Sequence, residues 1–163
     1  VSNITKYTSL VEFIAVGCTE VFNKAALKFT QEHLPKYEVM HDAWVYILCC
    51  FKGITFYDFN SYINYRQHEN NVIGYKTNLI SKIKEKGHRL LNRGLQPRLT
   101  YAKALLSVGD NFLSTDEVEK VNKIVNYNNS TLNKLKLLFD KEIKASSFAR
   151  DFRYRMLIIY GSI

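Results

Sequence analysis

No run of apolar residues in this chain approaches the ~20 needed to cross a bilayer, which excludes a long apolar transmembrane helix. A secretory leader is not expected either, because VSNITKYTSL has no basic start followed by an apolar stretch. The initiator methionine is also lacking, and a chain that starts at Val1 in mid-pattern reads as processed, or as part of something longer. The three cysteines, Cys18, Cys49 and Cys50, form no C-x-x-C and no metal-like spacing. Cys49 and Cys50 are adjacent within an apolar helical pattern, where a mutual disulfide would be strained. All three are expected to be small buried thiols in a reducing compartment. Repeats and low-complexity tracts are absent.

What is present suits one domain, or a small domain with an appendage: 163 residues, 47% of them hydrophobic. The net charge of +8 is unevenly placed. Residues 1–75 hold 6 Lys/Arg against 7 Asp/Glu, whereas residues 76–163 hold 17 against 8. Two parts with different neighbours follow from that imbalance. The basic part permits nucleic-acid binding, but it carries no helix-turn-helix, RNP or KH signature, and its lysines are spread over several helices. No nucleic acid is therefore expected.

The first part reads as mixed α/β. LVEFIAV (10–16) is rich in β-branched and aromatic residues and predicts a buried strand, ending at Gly17-Cys18-Thr19. A short extended piece, EVF, leads to Asn23, which is placed to cap the helix KAALKF; Pro35 ends this unit. In HDAWVYILCCFKG, Trp44, Ile47, Leu48 and Phe51 fall at i, i+3, i+4 and i+7, one apolar helical face, with Gly53 as its stop. ITFYD and SYINYRQ predict two further strands. Beyond residue 75 the periodicity is helical over KTNLISKIKEKGHRLLNR, PRLTYAKALLSV, DEVEKVNKIVNY and TLNKLKLLFDKEIK, with a capping box at Ser114 and Glu117. Pro97, Gly109 and NYNNS punctuate these helices.

Three short stretches carry polar groups where chemistry could be done. Asp42, in the first turn of its helix, reads either as a helix-capping Asp stabilised by the helix dipole or as a proton acceptor at the rim of a cleft. Arg66 and His68, in YRQHENN, read either as solvated strand-end groups or as part of a site that handles charge.

In their order, GCTEVFN, HDAW and YRQHENNVIG resemble the acceptor half of family 2 glycosyltransferases of the GT-A fold, in the bacterial rhamnosyltransferase-like branch. The resemblance covers residues 10 to 75 and implies a fold and a role for each motif. The fold implied is an α/β, partial GT-A domain over 1–75, followed by an all-helical region over 76–163. Asp42 would be the base that deprotonates an acceptor hydroxyl, in an inverting transfer from a nucleotide-sugar donor to a saccharide or lipid-linked saccharide. Arg66 would face the donor diphosphate. Gly17, Cys18, Thr19, His41 and Trp44 would line the acceptor side. His68 would help to hold Mn²⁺ or Mg²⁺, which acts as a Lewis acid on the departing diphosphate.

A donor-binding half ending in Asp-x-Asp would precede GCTEVFN in such an enzyme, yet the sixteen residues before Gly17 contain no Asp. The chain is thus expected to be the C-terminal part of a cytoplasmic enzyme of polysaccharide synthesis, inactive by itself and prone to self-association. A non-catalytic assembly module retaining only the acceptor half is the alternative, and behind it a basic nucleic-acid-binding helical protein. ARDFRYRMLIIYGSI reads either as a final helix packing on its neighbours or as a peripheral membrane contact, in which Arg150, Arg153 and Arg155 meet an anionic surface over 150–160 at the inner face of the cell membrane.

Overall fold

The computed structural model describes residues 5–14, 16–58, 60–64 and 97–163. The chain divides into two compact units, residues 1–56 with 96–163 and residues 57–95. In the first unit, α1 (Thr8–Val11) and the 3₁₀ turn Gly17–Thr19 precede α2 (Lys24–Glu32) and α3 (His41–Lys52). Then come α4 (Pro97–Val108), a 3₁₀ turn at Gly109–Asn111, α5 (Thr115–Val125), α6 (Thr131–Leu138) and α7 (Phe148–Tyr160).

Local signals set most of these boundaries. Asn23 accepts the Ala26 N–H at 2.9 Å and starts α2. Ser114 and Glu117 close a reciprocal capping box on α5. Ser130 caps α6 through the Asn133 N–H at 3.1 Å. Gly161 ends α7 in the left-handed region, φ 74°, where its own N–H and that of Ser162 satisfy carbonyls of the last turn. The apolar stripe of α3 is buried as its spacing requires, with Trp44, Ile47 and Leu48 at 2% exposure or less.

The α/β expectation is overturned: among the described residues the elements are all helical and there is no strand. The segment 10–16 shows why. A strand needs a partner for its backbone groups, and here short-range bonds supply one instead. The Thr8 N–H donates to the Thr5 carbonyl, and the Glu12 N–H to the Thr8 carbonyl. Leu10 and Val11, which an apolar-run reading assigns to a strand, are buried against helices instead. Past Glu12 the apolar pattern is not buried; Phe13 and Val16 are exposed. Residues 54–58 form no strand either, and Ile54 and Phe56 are almost wholly in solvent. The cysteine expectation also changes. Cys18 is exposed, and Cys49 and Cys50 are half-buried free thiols, pushed up by that burial.

One apolar cluster joins the early and late segments of this unit, with Tyr7, Leu10, Trp44 and Leu48 in the same core as Leu105, Val121, Leu137 and Ile158. Polar ties accompany it. Arg98 donates Nε to the Val11 carbonyl at 2.6 Å, with its guanidinium against the Tyr154 ring. Glu12 accepts from the Ser146 N–H and hydroxyl and pairs with Arg150. Among the described residues no helix is long and apolar enough to cross a membrane.

In the second unit only residues 57, 58 and 60–64 are described. Asp58 accepts from the Asn60 backbone and side-chain amides and from the Tyr62 hydroxyl, a side-chain-closed turn that lowers its carboxyl from the ordinary range. The four residues 61–64 of SYINYRQ form no strand, and the rest of it, with Arg66, His68 and the helix expected at 76–93, lies outside the described residues.

Candidate functional site

Asp42 and the Gly17-Cys18-Thr19 turn are 25 residues apart and meet. Val16 is extended and the turn folds back on it, with both the Thr19 N–H and the Thr19 hydroxyl donating to the Val16 carbonyl at 2.7 Å. This aims the Gly17 N–H at Asp42 Oδ2, at 3.2 Å. The other carboxylate oxygen, Oδ1, accepts the Ala43 N–H at 2.8 Å. Two backbone donors and the positive end of α3 therefore hold a buried carboxylate, which is 7% exposed. Glycine makes this approach close. A Cβ on Gly17 would stand 3.1 Å from the Asp42 Cβ and 3.2 Å from Oδ2, so the carboxylate would have to shift.

Around that carboxylate are groups that motif reading did not single out. Glu20, directly after the turn, has its Oε1 out of solvent with no hydrogen-bond partner among the described residues. Burial first, and then the charge of Asp42, push the Glu20 carboxyl above the ordinary range, while His41 works the other way. Tyr101 comes from α4, far along the chain. Burial raises its phenol, a hydrogen bond with the Met40 backbone opposes that, and the charge of Asp42 adds to the rise. A glutamate beside a turn and a tyrosine on a weakly patterned helix carry no sequence signal of their own. Only contact reveals them.

The other expected residues take clear positions. His41, Cys18 and Thr19 are exposed beside the carboxylate. Trp44 is 2% exposed and donates Nε1 to the His33 carbonyl at 2.9 Å, so it fixes α3 to the end of α2. That end is itself held by Phe29, His33 and Phe112, whose rings pack edge to face or tilted. Arg66 and His68 lie outside the described residues. No group of three His, Cys, Asp or Glu side chains stands together as a metal site among the described residues. His68, the one ligand to a cation that the resemblance implies in this chain, is not among those residues.

The arrangement offers a fixed carboxylate with one edge toward an exposed turn, a neighbouring carboxyl biased toward its protonated form, and a hydroxyl, thiol and imidazole at the rim. No family model, curated protein or solved structure matches this chain.

Proposed function

We propose that this chain is the acceptor-side part of an inverting glycosyltransferase, with Asp42 as the base. The acceptor hydroxyl would form its new C–O bond at the anomeric carbon of a nucleotide-sugar donor. The bond from that carbon to the diphosphate would break, with its electron pair leaving on the diphosphate and the hydroxyl proton going to Asp42. The observation that carries the reading is the Gly17 N–H bonded to Asp42 Oδ2. It joins two of the three motifs on which the resemblance rests, in a helical setting where no strand pairing forces them together. A carboxylate held by two backbone N–H groups is already oriented, so little reorganisation is needed when the hydroxyl arrives.

The alternative is a non-catalytic assembly surface. Val16, Val21 and Met40, exposed at 40%, 98% and 43%, favour it because they give the same site an apolar rim.

The test is Asp42→Asn in the full-length protein that carries this chain. Asn keeps one acceptor, sets an amide N–H against the other backbone donor and loses a charge near a helix N-terminus, so stability should fall by roughly 1–3 kcal/mol. Turnover should fall by about 10²–10⁴-fold if the carboxylate takes the proton. Steady-state rates beside thermal midpoints decide between the readings. Near wild-type turnover in a folded variant leaves Asp42 as a purely structural carboxylate.

A further inference from the structure

The C-terminal helices of the first unit carry an apolar surface that the core does not use. On α7, Phe148, Phe152, Arg155 and Ile159 fall at i, i+4, i+7 and i+11, a single stripe. Its three apolar members are 89%, 60% and 53% exposed. On α6 and its C-cap, Leu132, Leu135 and Phe139 form a second exposed stripe at i, i+3 and i+7, with Phe139 74% exposed. Arg155 joins the two helices by donating to the carbonyls of Leu137, Leu138 and Asp140 at 2.7–2.9 Å. Where they meet is an open depression of about 660 Å³ lined by Leu138, Phe139, Asp140, Lys141, Lys144 and Arg155.

The charges of this region divide into two sets. Asp140 is buried and paired with Lys120 and Lys123, Glu142 is paired with Lys120, and Asp151 with Arg155. Arg150 is spent on Glu12. Lys136, Lys141, Lys144 and Arg153 have no ion-pair partner among the described residues. Lys136, Lys141 and Arg153 are exposed. The surface is thus aromatic and aliphatic, with a surplus of cations at its edge.

We infer that this surface docks on an anionic lipid bilayer, with Phe139, Phe148 and Phe152 entering the interface and Lys141 and Lys144 meeting lipid phosphates. Charge complementarity selects this occupant. Cations beside a lipid-facing aromatic stripe gain from a negative surface. A second copy of the chain would bring the same cations into opposition. Arg155 takes no part in lipid contact, because its guanidinium is committed to backbone carbonyls. The inference is independent of the glycosyl-transfer reading, since it concerns other residues and a measurement without turnover.

The experiment is co-sedimentation of the chain with vesicles of phosphatidylcholine alone and with an equal share of phosphatidylglycerol. Binding is expected to the mixed vesicles only and to weaken with salt. Each cation near the surface is worth roughly fivefold in affinity, so Lys141→Glu with Lys144→Glu should weaken binding by roughly 25-fold or more. Phe148→Ser with Phe152→Ser should abolish binding while circular dichroism and the thermal midpoint stay unchanged, because both rings are already in solvent. Arg150→Gln, which removes a cation already paired with Glu12, should retain most of it. Absence of binding by the unaltered chain, equal binding to neutral vesicles, or full binding by either double variant overturns the inference. So does sedimentation velocity showing a dimer that the Phe double variant dissociates, with no vesicle binding, since the occupant is then a second copy.

Discussion

Glu20 and Asp42 carry opposite relations to their surroundings. Asp42 has a backbone donor for each oxygen, whereas Glu20 has a buried oxygen with none and a negative neighbour. A carboxyl whose folded pKa is raised binds its proton more tightly in the folded state. Its penalty on folding is therefore absent below the ordinary glutamate range, grows as pH rises through the raised value, and persists at neutral pH. Glu20→Gln should accordingly raise the thermal midpoint near neutral pH and leave it unchanged in acid, so the two melting curves against pH converge as pH falls. Curves that run parallel over the whole range would show that Glu20 titrates normally. The comparison must be made as a difference, because Glu117 and Asp140 work the other way. Hydrogen bonds and cations hold both below the ordinary range despite burial, so their stabilisation is lost as pH falls.

Among the elements, α6 and α7 define each other. Helical periodicity runs on through TLNKLKLLFDKEIK, but α6 stops at Leu138. Asp140 folds its carboxylate back on the Glu142 and Ile143 N–H groups, at 2.9 and 3.1 Å, and diverts the chain. Arg155 then takes the Leu137, Leu138 and Asp140 carbonyls at and just past the helix end. A lysine cannot reproduce that planar fork. Arg155→Lys is expected to cost roughly 1.5–3 kcal/mol, as for lost hydrogen bonds to a charged group. The exposed Arg153→Lys should stay within about 0.5 kcal/mol. Urea unfolding of the two variants measures the difference, and equal midpoints would remove Arg155 as the pin between these helices. The arginines of α7 look interchangeable in sequence; only their partners separate a structural one from a free one.

For the first unit as a whole, the connection of interest is between its two ends. Leu10, 1% exposed, packs in the same cluster as Leu48 of α3 and Leu105 of α4. Leu10→Ala should cost about 2–5 kcal/mol through lost burial and the cavity left behind. The loss should appear in hydrogen exchange at α3 and α4 together, because one core serves both. Protection lost at α1 alone would mean that α1 is an appendage to a core that stands without it.

Features settled within a turn or two of chain are legible in the order of the amino acids alone. The caps at Asn23 and at Ser114 with Glu117 satisfy neighbouring backbone groups, and the Trp44–Phe51 stripe follows from 3.6-residue periodicity. Those interactions have their partners inside the motif, so composition and spacing are enough to read them. Tertiary structure alone decided the fate of LVEFIAV, the end of α6, the residues around Asp42 and the division of labour among the arginines. A β-rich segment becomes a strand only where another backbone accepts its bonds; here Leu10 and Val11 found an apolar helical core instead. A carboxylate's character depends on which donors and charges reach it through space. Of the two donors on Asp42, Ala43 is its neighbour in sequence, whereas Gly17 lies 25 residues before it, and its charge reaches Tyr101 on α4 through space.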